Sequence, residues 1–398
     1  MTRSREPNLL ERTSSTDESS MGETRDNWLR TRISNNSGRV YYKSADASSI
    51  NKASDDSWDN AVSLHIFPLV DWYDARVAVG AKNSANRYFE SNTNQNAPGD
   101  PDNGDEFRIV TESRYYLEGA VEYLDTQGEY HTSLGEKVST SRGWTLYYPQ
   151  DDVDINTAVL SISEQDIIAV EGDEMHVSFQ NLVVEGGRGW HLASVYGYYT
   201  DFFQCSFINS ALDMVDVYGS YITFRECVFE GSGGSAIRMA DDRDFESDGR
   251  GFGLLESGNG VVNSLISDFA STCRHYSEGL SLGGYGNLVS NNHFRSSNMA
   301  AIDIALGMAR ILHNVFSHIS DGSYDDGAIH WVAESPMERG NEVAYNIFFR
   351  NGVSTEPCNA ETSCYQADVY MDDMVSTVYC IVSIWIEPVL LVKTIEIS

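Results

Sequence analysis

The chain has 398 residues, with 59 acidic against 27 basic side chains, a formal charge of −32 and a pI near 4.4. Such a surface offers nucleic acid and anionic membranes little attraction, so neither is expected as a partner. Glycine (32) and tyrosine (22) are plentiful while proline (8) is scarce, which suits short strands joined by turns and argues against a helical bundle.

Residues 1–54 are polar and rich in Ser, Asp, Glu, Asn and Arg, and are predicted to be disordered. They contain no apolar core of a signal peptide, which leaves localisation open. Residues 55–150 read as a β-rich entry region without a repeat, with strand-like segments at 61–70, 75–79 and 107–110. Trp58, Trp72, Trp144 and the pairs Tyr115-Tyr116 and Tyr147-Tyr148 are read first as core, and second as surfaces for stacking sugars. The six cysteines lack Cys-x-x-Cys spacing, so no zinc site and no dense disulfide scaffold is expected. Cys358 and Cys364 flank a loop that would close as a disulfide in an oxidising compartment.

A repeat organises residues 151–376. Its marker position falls at Asn181, Cys205, Cys227, Ser264, Asn292, Asn314 and Asn346, and Phe207, Phe229, Phe294, Phe316 and Phe348 each follow two residues after a marker. The base period is 22, lengthened at particular turns. Internal periods of this size mean solenoids. The signature of leucine-rich repeats is absent, and strands of three to six residues with Asn and Phe at fixed points predict an all-β fold, a right-handed parallel β-helix. Stacked about 4.8 Å apart, the phenylalanines should form an internal ladder and the asparagines a turn ladder bonded coil to coil. Asn also tolerates the left-handed backbone such turns require. The longest lengthening, residues 240–256, is acidic and glycine-rich, but its acids are not spaced as in a calcium loop, so it reads as a solvated loop.

Two acidic pairs are the candidate catalytic groups: Asp325-Asp326, and Asp372-Asp373 about two coils away. Glycoside hydrolysis needs one protonated carboxyl and one ionised carboxylate, at about 5–9.5 Å separation, and crowded carboxyls push one another's pKa apart. Asp303 sits in an apolar strand, where a carboxylate must face outward or find a partner. Glu278, with Asp213 and Asp216, would extend an acidic stripe over the same face. His330, following the acidic pair, and Glu334 and Arg310 complete the candidate substrate-binding set. A lyase would need a base and a cation to neutralise a uronate, and no lysine occurs between Gln150 and Leu391, although Arg274, Arg310 and Arg339 remain.

The order of phrases from Leu280 to Ser376 resembles right-handed parallel β-helix carbohydrate-active proteins, in particular glycoside hydrolase family 141. The phrases are Ser281-Leu-Gly-Gly-Tyr-Gly-Asn287, Ala301-Ile302, Asp325-Asp-Gly-Ala-Ile-His330, Arg339-Gly-Asn341, and Tyr370 to Ser376. Upstream, residues 118–130 and 145–149 are similar to that family's entry region. The resemblance implies the β-helix and polysaccharide chemistry. His330 stands where the family usually has Tyr, and Trp331 to Ser335 lacks its Arg while keeping Glu334. Residues 377–398 lose the repeat and are set apart as an atypical tail, as from a truncated or mispredicted reading frame.

The expected activity is that of a glycoside hydrolase-like enzyme on a polysaccharide, working as a monomer with no cofactor and no metal. The alternatives are a glycan-binding or surface β-helix protein without catalysis, and a polysaccharide lyase.

Overall fold

The computed structural model describes residues 29–32, 39–52, 62–67, 73, 75–91, 109–119, 130–133, 144–147, 163–172, 176–240, 256–305, 307–323, 326–333, 339–352, 366–373, 379–381 and 384–386. Two compact units emerge: residues 1–159 with 355–364, and residues 160–354 with 365–398.

In the first unit six antiparallel strands form one sheet, in the order Leu29–Arg30, Arg114–Glu118, Ser63–Ile66, Ala75–Asn83, Tyr88–Ser91, Arg39–Tyr41. Leu29, Val40, Tyr42 and Ile50 are buried in its core beside Leu64, Phe89, Tyr115 and Leu117. Within the polar stretch 1–54, residues 29–32 and 39–52 are placed in this unit, where burial of a few apolar residues offsets the cost of ordering the chain. Of the segment 107–110, the described residues Ile109 and Val110 are buried but lie outside any strand of the sheet. Trp58, Trp72, Cys358 and Cys364 lie outside the described residues.

The second unit is a parallel β-helix. Three parallel sheets of eight strands run along it, and each coil contributes one short strand to each sheet. Coil-to-coil register carries Val184 onto Phe207, Phe229, Ile266, Phe294, Phe316, Phe348 and Trp385. Val184, Ile266 and the five phenylalanines are buried, and the phenylalanines stack inside at centroid distances of 5.1 Å (Phe207–Phe229), 5.2 Å (Phe294–Phe316) and 5.0 Å (Phe316–Phe348). A second stack, Phe179–Phe202–Phe224, lines a neighbouring wall.

The asparagine ladder forms in one sense and differs in another. The side-chain carbonyl of each Asn accepts the backbone N–H of the preceding marker, from Ser264 to Asn292 (2.8 Å), Asn292 to Asn314 (2.9 Å) and Asn314 to Asn346 (2.8 Å). Each amide donates inward to a backbone carbonyl, as Asn314 does to Val289 at 3.0 Å. The left-handed residue, however, is the one before the marker: Asn181, Gln204, Glu226, Asn263, Asn291, His313 and Tyr345 all have φ between 52° and 60°. Asn181 belongs to this corner set, and the ladder position of its coil is Leu182, since Val183 pairs with Ser206. Two further corner columns repeat the device. Tyr199, Tyr221, Gly258, Gly286, Met308 and Gly340 form one; Gly186, Asn209, Gly231, Asp268, Ser296, His318 and Arg350 form the other. One left-handed residue at each of three corners turns the chain from sheet to sheet, so the cross-section has three sides.

The repeat also continues past Ser376. Tyr379–Ile381 pairs with Glu342–Ala344, and Ile384–Ile386 pairs with Ile347–Phe349 with Trp385 opposite Phe348. The stretch set apart as a tail thus extends two of the sheets, its backbone in register with the coil before it. Among the described residues no helix is long and apolar enough to cross a membrane.

Candidate functional site

The sheet built from Ile168–Gly172, Ala193–Tyr198, Val215–Ser220, Ile237–Ala240, Leu280–Leu282, Ile302–Ile304, Asp326–Ala333 and Gln366–Asp373 carries the chemistry. Alternation buries Ile302 and Ile304 in the lumen and turns Asp303 outward. Register then stacks outward residues in one column: Ser194, Asp216, Arg238, Ser281, Asp303, His330 and Tyr370. The costly carboxylate in an apolar strand finds its partner one coil on, where Asp303 Oδ1 lies 2.8 Å from His330 Nδ1. Tyr370 covers the other side of the imidazole, with ring centroids 5.6 Å apart and planes tilted by 21°.

Three further carboxyls, Glu278, Asp326 and Asp372, interact with this pair. Burial pushes the Glu278 carboxyl up to about 8, reinforced by the fields of Asp303 and Asp326 and opposed by Arg238. Burial likewise raises Asp326 to about 6, against the favourable field of His330. Asp326 Oδ1 accepts the N–H of Gly327 at 2.7 Å, and its Oδ2 accepts the Ser320 hydroxyl at 3.2 Å. Burial alone would lower the pKa of His330. The hydrogen bond to Asp303 and the fields of Asp326, Asp303 and Asp372 outweigh it and raise the imidazolium to about 9. At neutral pH this arrangement holds a protonated Glu278 carboxyl in the field of Asp303, which is itself bonded to the His330 imidazolium.

The candidate residues divide. Asp303, Asp326 and Asp372 all act on His330, and Asp303 and Asp326 also act on Glu278. Asp325 and Glu334 lie outside the described residues, and of Asp373 only the backbone is placed, opposite Ala333. Arg310 lies on a different sheet, where its Nε donates to Glu342 at 3.2 Å. The pairing of Asp326 with Asp372 does not fit a catalytic pair. Their strands are adjacent, one coil apart and not two, but Asp372 lies opposite Val332, six positions beyond Asp326. That offset is roughly 20 Å at the rise of a strand, past the separation two catalytic carboxyls tolerate. Glu278 and Asp303 are instead on consecutive coils, since Leu280 pairs with Ile302.

Sequence reading missed Arg238, Ser320 and Tyr370 as members of the site. Arg238 and Tyr370 were accessible by register, since stepping the repeat backward and forward from Asp303 lands on both. Asp216 and Asp213 do extend the stripe: Asp216 accepts the Tyr196 hydroxyl at 2.8 Å, and Asp213 bridges to Arg238 at 3.4 Å. No three His, Cys, Asp or Glu side chains among the described residues are grouped to hold a metal ion.

Neither a protein-family model nor a curated protein matches the chain. Among solved structures, a glycoside hydrolase superposes with a TM-score of 0.64 at 13% identity, over 92% of this chain and 74% of its own. What is shared is the fold. An alginate lyase from Paenibacillus sp. str. FPU-7 gives a TM-score of 0.29 at 13% identity, over 50% of this chain and 78% of its own.

Proposed function

We propose that this protein is a polysaccharide-acting enzyme of the glycoside hydrolase type, related to family 141, and that the cluster around His330 is its catalytic centre. The observation that carries the reading is the pairing of a carboxyl held protonated, Glu278, with an outward-facing carboxylate on the next coil, Asp303. Glycosidic cleavage asks for these two states from two carboxyls within one site. Glu278 would protonate the leaving oxygen. Asp303, oriented by the His330 imidazolium at 2.8 Å, would serve as base or nucleophile. Asp326 and Asp372 flank the imidazolium and maintain its charge, acting through His330. This assignment replaces the pair of aspartates suggested by sequence with a Glu/Asp pair, while Asp326 and Asp372 keep supporting places. The glycoside hydrolase likeness, with its shared fold, is compatible with the reading.

The test is the release of reducing ends from a polysaccharide panel by the purified protein and by Glu278→Gln, Asp303→Asn and Arg310→Ala variants. Loss of about 100-fold or more in the first two, at unchanged circular dichroism, with Arg310→Ala active, is the expected result. Full activity of Glu278→Gln and Asp303→Asn together would sink the assignment. Unsaturated products absorbing in the ultraviolet would mark elimination in place of hydrolysis.

A further inference from the structure

Upstream of the catalytic cluster, the same sheet carries a second outward column. Glu171, Tyr196, Tyr218 and Ala240 are in register, next to the column that runs from Ser194 through Asp216 and Arg238 to Asp303 and His330. Tyr196 is 38% exposed, its hydroxyl is fixed by Asp216 at 2.8 Å, and it meets Tyr218 edge to face at 6.3 Å. A tyrosine pair held this way is a rigid, amphipathic surface, apolar on its rings and polar at its tips, which suits the faces and hydroxyls of a sugar. Three strand steps separate Tyr218 from Asp303, roughly 14 Å along the solenoid. That distance leaves room for a few sugar units of an extended chain lying across the strands.

The charges on this face select among such chains. The described strands of the sheet contain two cations, Arg238 and His330, and each is already matched to a carboxylate: Arg238 to Asp213 at 3.4 Å and His330 to Asp303 at 2.8 Å. A uronate would therefore bring its charge to Asp213, Asp216, Asp303 and Asp372, within a chain of net charge −32, with neither strand cation left to receive it.

We propose that Tyr196 and Tyr218 form a remote sugar-stacking platform, and that the face takes an extended, uncharged polysaccharide running from that platform to the catalytic cluster. The proposal rests on the polysaccharide reading above and adds to it a place and a substrate class. It predicts that a polymer binds better than a short oligosaccharide, because only the polymer reaches both ends.

Affinity electrophoresis tests it, in gels cast with xylan, β-glucan, arabinan or galactomannan, and in parallel with polygalacturonate or alginate. The expected result is retardation by at least one neutral polymer and by neither polyuronate. Tyr196→Ala/Tyr218→Ala should weaken binding about tenfold, while Tyr196→Phe, which keeps the ring and loses the bond to Asp216, should stay within about twofold. Circular dichroism checks that each variant is folded. Retardation by a polyuronate alone, by no polymer, or equally for wild type and the double alanine variant would overturn the proposal. So would a loss in Tyr196→Phe as large as in the alanine variant. Tyrosine-dependent binding that persists while Glu278→Gln and Asp303→Asn retain full cleavage would support the platform and reject the catalytic assignment, so the two failures are distinguishable.

Discussion

Replacing Glu278 with glutamine should flatten the pH dependence of folding stability. The carboxyl is buried, and its pKa stands at about 8 in the folded chain against 4.5 for the free group. Between those values the folded state keeps a proton that the unfolded chain has released. The stability contributed by the neutral carboxyl is therefore complete below pH 4.5, and is lost as pH rises through 8. One retained proton corresponds to about 1.4 kcal/mol for each pH unit, so roughly 5 kcal/mol drains away across the window. Asp326, raised from 3.8 to about 6, and His330, raised from 6.5 to about 9, act in the same direction over adjoining ranges. All three groups make the acidic side the more stable one, although for His330 the cause is its bond to Asp303 and not burial. Glutamine is neutral throughout, so the variant should lose the slope due to residue 278 and keep those of the other two. Urea unfolding followed by circular dichroism at several pH values between 4.5 and 8 measures the difference. Parallel curves for wild type and Glu278→Gln would refute the placement of this carboxyl in the core of the site.

The solenoid makes further predictions. Asn314→Ala removes an acceptor for the Asn292 N–H and a donor to Val289, both buried, and should cost about 2–4 kcal/mol in urea unfolding. Phe316→Ala opens a cavity between two stacked rings and should cost about 3–5 kcal/mol by the same measure. At the left-handed corner residue Asn291, exchange for valine should destabilise by about 1–2 kcal/mol, whereas exchange for glycine should be neutral to within a few tenths. For catalysis, His330→Gln should leave circular dichroism unchanged and lower kcat/KM for reducing-end release by about tenfold or more, since Asp303 then loses the imidazolium that orients it.

The winding of this chain was legible because its period is written in buried side chains. Phe294, Phe316 and Phe348 recur with Asn two residues earlier, a spacing that the stacked coils of a solenoid put to use. Corners were harder. Asn291, His313 and Tyr345 share φ near 57–60° and have no common chemistry, because the backbone demands one conformation there and the ladder on either side enforces it. At the site, sequence brought the acids into view but not their arrangement across coils. Asp325-Asp326 and Asp372-Asp373 draw attention as doublets, yet what joins side chains across coils is register, and register assigns Asp303 to His330 while setting Asp372 six positions from Asp326. Segments such as Leu29 and Val40 in the entry unit were missed for the converse reason: two or three apolar residues are too few to stand out in a polar stretch until their antiparallel partners are known.

The phenylalanine column is broken once, at Ile266. Phe207 and Phe229 stack before it, and Phe294, Phe316 and Phe348 after it. In a linear array each coil is held by its neighbours, so the weakest interface decides where cooperativity divides. At Ile266 no ring continues the stack on either side, and we predict that the solenoid divides there into an amino-terminal and a carboxy-terminal foldon. Tyr196, Tyr218 and Arg238 belong to the first; Glu278, Asp303, His330 and Asp372 belong to the second. Hydrogen exchange would resolve the blocks as two protection levels meeting at residue 266, and a loosened seam would part the tyrosines from the acids without unfolding either.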